Sequence, residues 1–197
     1  MLLVPAAQAN IVLNGGFDLD TPSTGVAPLD WTLTPAAVRS EFIVGNDMVW
    51  GVLSPPNSAN FAASGPPGPG NDDVLSQVLA TIPGQTYTLD YFLANDDGMT
   101  MTEDNDFSVS WGGVTIPGSV LTNATAFNYR EFTFTEVATS TTTTLAFAGR
   151  EVPGFYNLDN VSVNPSTLPV PEPGYLAVLP AALGVLLFAR RRRQTQA

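Results

Sequence analysis

Thr86-Tyr87-Thr88-Leu89-Asp90-Tyr91-Phe92-Leu93-Ala94 is the stretch that decides the fold. Tyr87, Leu89, Tyr91 and Leu93 recur at every second position and share one face, while Thr88 and Asp90 occupy the other. A period of two belongs to a β-strand with one side in the core and one side toward water. Phe92 is out of phase with Tyr91 and Leu93, so it points to the face opposite the core. The same alternation recurs in Phe107, Val109 and Trp111 against Ser108 and Ser110, and again in Leu145 and Phe147. Ile82-Pro83-Gly84-Gln85 places Pro and Gly where a tight turn wants them, and Trp111-Gly112-Gly113-Val114 reads as a hairpin.

Working outward, short runs rich in Val, Thr, Phe and Tyr recur between Gly, Pro, Asn and Asp, and no helical period interrupts them before the C-terminal tail. Strands are expected at Ile11-Leu13, Ala37-Val44, Ala59-Ala63, Val74-Ala80, Thr86-Ala94, Phe107-Trp111, Tyr129-Val137, Thr142-Ala148 and Phe155-Val163. Gly65-Pro66-Pro67-Gly68-Pro69-Gly70 is a loop without strand or helix potential. The fold class is therefore all-β: a jelly-roll β-sandwich of about nine strands over residues 10–164, large enough to bury a core.

Composition narrows the chemistry. The chain has 197 residues, no histidine and no cysteine. A disulfide framework, a Cys/His zinc site, a Ser-His-Asp triad and a cysteine nucleophile are all excluded. Every basic residue is arginine, and outside the tail only Arg39, Arg130 and Arg150 face an excess of acidic side chains. Such a surface repels phosphate backbones, so nucleic acid is not an expected partner. It suits divalent cations and a secreted protein that must stay soluble.

Both ends carry targeting features. Met1 to Ala7 is apolar and leads to Ala7-Gln8-Ala9, a small-x-small site of the kind signal peptidase cleaves. Residues 1–9 are therefore read as the remnant of a signal peptide, whose basic region would lie upstream of Met1. At the other end, residues 165–173 form a linker that closes on Val170-Pro171-Glu172-Pro173, where two prolines forbid a helix. Residues 174–189 form an apolar run read as one transmembrane helix, slightly short of the roughly 20 residues that span a bilayer comfortably. Arg190, Arg191, Arg192 and Arg193 stop it, and by the positive-inside tendency residues 190–197 stay cytoplasmic.

The order of Val170-Pro-Glu-Pro173, apolar helix and arginine cluster resembles the PEP-CTERM sorting signal of exported bacterial proteins, a motif also known as the ice-binding-protein C-terminal type. The resemblance implies export, transient tethering in the inner membrane and processing by an exosortase, with this chain as the substrate. An ordinary C-terminal anchor is the plain alternative.

Two body segments resemble galactose-binding-like jelly rolls, such as carbohydrate-binding modules. Asn10-Ile11-Val12-Leu13-Asn14-Gly15-Gly16-Phe17-Asp18, with Trp31 after a loop, is similar to their first strand, and Phe155-Tyr156-Asn157-Leu158-Asp159-Asn160-Val161-Ser162-Val163 to their last. This chain has Asp18 where that pattern has Glu, and Asn160 where it has a second Asp. The resemblance implies that the first and last segments lie side by side and that Asp18 and Asp159 hold a structural calcium ion. Without the resemblance, both acids read as turn caps. A second acidic group, Asn95-Asp96-Asp97 with Glu103-Asp104-Asn105-Asp106, lacks EF-hand spacing and reads as a solvated loop.

Sugar binding needs exposed flat rings beside hydrogen-bonding groups. The candidate platforms are Trp50, Phe92, Tyr129 and Tyr156, against a background in which most aromatics belong to the core. Three readings follow. The first is a non-catalytic surface or matrix protein that associates with extracellular polysaccharide. The second is a structural envelope or matrix protein without a specific ligand. The third is a glycoside hydrolase using paired carboxylates, for which the sequence supplies residue types but no motif.

Overall fold

The computed structural model describes residues 9–37, 40, 42–45, 58–61, 71–96, 105–151 and 154–166. Among these residues there are twelve strands and no helix: β1 (Ser23–Thr24), β2 (Thr32–Thr34), β3 (Ile43–Gly45), β4 (Ser58–Phe61), β5 (Asp73–Ala80), β6 (Thr86–Asp96), β7 (Asp106–Trp111), β8 (Val114–Thr115), β9 (Leu121–Thr122), β10 (Phe127–Val137), β11 (Thr142–Arg150) and β12 (Phe155–Pro165). They form two antiparallel sheets. The first runs β1-β3-β4-β12-β6-β10, and the second β2-β5-β11-β7-β8 with β9 also on β7.

The long strands fall where the alternation puts them, and so does the short β4, on the expected Ala59-Ala63; most other short strands do not. The expected strand Ile11-Leu13 is no strand: only the Ile11 N–H reaches β12, at Val163 O, 2.9 Å away. The expected run Ala37-Val44 shrinks to β3, where described. β1, β2, β8 and β9 add two- or three-residue strands that no periodicity could announce. The turn readings hold. Gln85 N–H closes on Ile82 O at 3.0 Å around Gly84, whose φ is +81°. Trp111 pairs with Val114 across Gly112 and Gly113, with φ of +59° and +83°. Both central residues of that hairpin take the left-handed conformation glycine adopts without a steric cost. The residues read as a leader (1–8), as a loop (65–70), as a sorting motif (170–173), as a membrane span (174–189) and as its arginine stop (Arg190 to Arg193) lie outside the described residues. Among the described residues, no helix is long and apolar enough to cross a membrane.

The inner faces of the two sheets interdigitate aromatics. Tyr91 on β6 sits at the centre: it stacks on Phe132 at 5.2 Å and on Phe134 at 6.1 Å, and meets Phe147 edge-on at 5.3 Å. Phe107 carries the chain of contacts to Phe61, Tyr156 and Phe147. Offset and edge-to-face pairs of this kind add about 0.5–1.5 kcal/mol each beyond the area they bury. Gly149 lies under this cluster because a Cβ there would come within 2.9 Å of the Phe107 ring.

The N-terminal segment closes the sandwich against β12. Val161 N–H donates to Gly15 O at 2.9 Å, and Asn10 Oδ1 accepts from both Val12 N–H and Val163 N–H. Gln77 fixes the other side, its Oε1 accepting from Leu13 N–H and its Nε2 donating to Leu13 O and Asp30 O. The expectation that the first and last segments lie side by side is met. A Cβ at Gly15 would collide with the Val161 carbonyl. Gly15→Ala is therefore expected to cost about 2 kcal/mol or more, a drop of roughly 4–8 °C in the thermal midpoint, read by calorimetry. An unchanged midpoint would show that this junction carries no stability.

Candidate functional site

Alternation sends every second residue of β6, β12 and β10 to the outer face of the first sheet. On β6 these are Thr88, Asp90 and Phe92. On β12 they are Asn157 and Asp159 and, after a bulge between Asp159 and Ser162, Ser162 and Asn164. On β10 they are Glu131, Thr133 and Thr135, opposite Phe92, Asp90 and Thr88 in turn. Phe92 is the aromatic side chain at the middle of this array, placed between Asp159 on one strand and Glu131 on the other; Phe155, opposite Asp96 at the start of β12, shares its outward phase. It is half-buried while its neighbours Tyr91 and Leu93 are wholly buried in the core, as its phase in the sequence requires.

The face is graded. Asn157 and Asp159 are buried, Phe92, Asp90, Thr88, Ser162 and Asn164 are half-buried, and Glu131, Thr133 and Thr135 are exposed. It therefore opens toward β10. Its polar groups are held in place: Thr133 Oγ1 donates to Asp90 Oδ1 at 2.7 Å, Thr88 and Ser166 hydroxyls meet at 2.9 Å, and Asn164 Nδ2 donates to Ser162 Oγ at 3.3 Å. Fixed carboxylates and hydroxyls beside one apolar ring suit a ligand with alternating C–H and O–H surfaces.

The other sequence candidates fare differently. Tyr129 is half-buried and lies where the β10 register shifts, between Phe127 and Arg130. Trp50 lies outside the described residues. Tyr156 is corrected: it is fully buried, packs on Phe107 and Phe127, and binds Asn105 Oδ1 through its hydroxyl at 2.5 Å. It follows the core side of β12, with Leu158, and the sequence reading missed that phase. Burial pushes both the Tyr156 and Tyr91 hydroxyls well above the ordinary phenol range, so neither is a proton donor or acceptor for chemistry near neutral pH.

The two acids proposed for calcium stand in different surroundings. Asp18 is exposed, and its Oδ2 and the Asn160 Oδ1 both approach the space beside Gly16. Asp159 is buried, its Oδ1 accepting from Asn160 N–H at 2.6 Å. Among the described residues, no three His, Cys, Asp or Glu side chains stand close enough to share a metal ion. Calcium takes six to eight oxygens, so Asp18 and Asp159 alone do not make a complete site.

The Asn14-Gly15-Gly16-Phe17 motif has a structural task. Asn14 Nδ2 donates to Asp20 Oδ2 and Leu29 O, and Asn14 O accepts from Trp31 Nε1 at 3.1 Å. Asn14 and Phe17 take positive φ, 49° and 55°, and Phe17 is driven wholly into the core against Trp31. Sequence reasoning also missed Arg150, the largest fully buried side chain, which lies opposite Asp106 across β11 and β7. Asp72 belongs to the same region: burial raises its carboxyl above the ordinary range, opposed by a hydrogen bond with Asp106 and by the charge of Arg150. A buried arginine among acids has no signature in a single sequence.

No family model matches the chain, and no curated protein matches it. Solved structures do. TmCBM61, a carbohydrate-binding module solved in complex with beta-1,4-galactotriose, aligns with a TM-score of 0.55 and 10% identity over 80% of this chain and 99% of that one. The CBM22-1 xylan-binding domain from Paenibacillus barcinonensis aligns at 0.50 and 9% identity, over 84% of this chain and 99% of its own. The enzymatically active domain of bacteriophage CBA120 tailspike protein 4 aligns at 0.54 and 17%, but the match spans only 21% of that chain. At these identities the likeness is one of fold: this chain shares the β-sandwich of carbohydrate-binding modules.

Tyr91 and Tyr156 differ in a way that mutation can read. The Tyr91 hydroxyl is buried with no hydrogen-bond partner among the described residues. Removing an unsatisfied buried hydroxyl relieves a desolvation cost, whereas removing a bonded one loses the bond. Chemical denaturation is expected to find Tyr91→Phe neutral or up to about 1 kcal/mol more stable, and Tyr156→Phe about 1 kcal/mol less stable. The reverse order would place the hydroxyls wrongly.

Proposed function

We propose that this chain is a non-catalytic saccharide-binding protein whose ligand lies on the outer face of the first sheet, over Phe92. The observation that carries the proposal is the half-buried Phe92 ring beside the hydrogen-bonded Asp90 and Thr133 and the exposed Glu131, on the part of that face that opens toward β10. A pyranose stacks its C–H face on such a ring, and its hydroxyls find carboxylate acceptors on the neighbouring strands. The shared fold with carbohydrate-binding modules supports the same reading. Of the two carboxylates on the strands flanking Phe92, Asp159 is buried and Glu131 is exposed, which favours binding over hydrolysis by an accessible carboxylate pair. A structural calcium ion on Asp18 and Asp159 belongs to the proposal, supported by the closure of the first segment onto β12.

The test is affinity electrophoresis of the full chain on a panel of soluble galactans, xylans and bacterial exopolysaccharides, in calcium and in chelator. Retardation on at least one polymer is expected, and Phe92→Ala should weaken it tenfold or more, about 1.4 kcal/mol, without moving the thermal midpoint. Val114→Ala, on an exposed strand of the other sheet, should change nothing. Retention on no polymer would leave the structural matrix protein as the better reading, and released reducing ends would favour the hydrolase.

The tail completes the proposal. Val170, Pro171, Glu172 and Pro173, the apolar span and the four arginines make the chain an exosortase substrate, exported after signal peptidase cleavage, tethered briefly in the inner membrane and released to the cell surface or extracellular matrix. The full-length chain expressed in a bacterium with its exosortase is expected to lose the tail near Pro171 and leave the cell, as intact mass and fractionation would show. Retention of the whole tail in the membrane, with or without the enzyme, would reduce the motif to an anchor.

A further inference from the structure

The first sheet ends at β10, an eleven-residue strand paired with β6 on one side and with no other strand among the described residues. A long open edge is a template for another strand, and proteins usually blunt it. Here the one irregularity, between Phe127 and Arg130, sits at the start of the strand and leaves Arg130 to Val137 in unbroken register with β6.

We propose that this edge recognises a second copy of the same chain, the two β10 strands pairing antiparallel about Thr133 so that the first sheet continues across a two-fold axis. The register is fixed by face and charge together. In a continuous sheet, residues directly opposite must point to the same face, so even-numbered positions of one copy meet even-numbered positions of the other. Within the regular segment the charged residues are Arg130, Glu131 and Glu136. Arg130 can therefore meet an acid only at Glu136 of the second copy, because Glu131 lies on the other face. That pairing centres on Thr133. It sets Glu131 against Thr135 and Thr133 against itself, and makes two opposite-charge pairs by symmetry. Registers centred on Arg130, Glu131 or Glu136 would instead oppose like charges, which destabilises a sheet. The same centre brings Phe132 of one copy against Phe134 of the other. Both rings are only partly buried, at the end of the stack on Tyr91, and each would be covered by its counterpart. Arg130 is already ordered over Phe127 and Phe132, 4.0 and 4.8 Å from their ring centres, which reduces the entropy lost on pairing.

The chain has no cysteine, so single cysteines report the register without background. Opposed residues of an antiparallel pair have Cα atoms roughly 4.5–5.5 Å apart, within disulfide range. In the full chain, mild oxidation should cross-link Thr133→Cys at least tenfold faster than Thr135→Cys, whose copies would stand four residues apart along the strand. Sedimentation should show a dimer that weakens with salt, dissociates at least tenfold more readily in Glu136→Arg, and recovers in the Arg130→Glu/Glu136→Arg exchange. Equal cross-linking of the two cysteines, a monomer at every concentration, or a dimer indifferent to Glu136→Arg would each overturn the proposal. Should Glu136→Arg fail to fold by near-ultraviolet circular dichroism, the cysteine pair still decides.

Discussion

The sandwich depends on the seam between the first residues of the body and its last strand. Segment 10–17 makes only scattered backbone bonds to β12, and it is side chains that complete the contact: Asn10 toward β12, Gln77 from β5, and Asn14 toward Leu29 and Trp31. These amides stand in for ladder hydrogen bonds that an irregular segment cannot make, so its buried polar groups are still satisfied. The bulge at Asn160, with φ of +49°, is the counterpart on β12: it turns the strand so that Val161 reaches Gly15 while Val163 returns to the core. Without that seam, Phe17 and Trp31 would have no reason to enter the aromatic cluster, and β2 would have less to hold it against β5.

Phase explains how much of the molecule could be read from its sequence. β5, β6, β7, β10, β11 and β12 are long enough for period two to speak, and each lies within a few residues of its expected place. Phe92 was legible for the same reason. β1, β2, β8 and β9 hold two or three residues each and owe their existence to a neighbouring strand, which no local pattern encodes. Tyr156 fails by one position of phase, because the bulge later in β12 obscures which residues of that strand face inward. Arg150 and Asp72 fail for another reason: their proximity is a product of tertiary packing, and a lone arginine reads as a surface residue until strands bring acids to it.

The two faces of the first sheet divide the work. The inner face is bound by packing, where a change of one methylene is felt by Tyr91, Phe107 and Phe147 together. The outer face carries no such constraint, and its residues are free to be polar, ordered by bonds such as Thr133 to Asp90. Phe92 is then informative, since an apolar ring on the polar middle of that face lies where a ligand's apolar surface could use it.

Pairing through β10 would set two such faces side by side on one continuous sheet. Each copy's Phe92 is separated from the dimer axis by β10 alone, and the axis preserves which face is outward, so both rings would look in the same direction. A short oligosaccharide would engage one ring. A long polymer could reach both, and the second contact would form at the high effective concentration that linkage provides, raising avidity without any new side chain. A repeating polymer would gain more from two modest sites in fixed relation than from either alone.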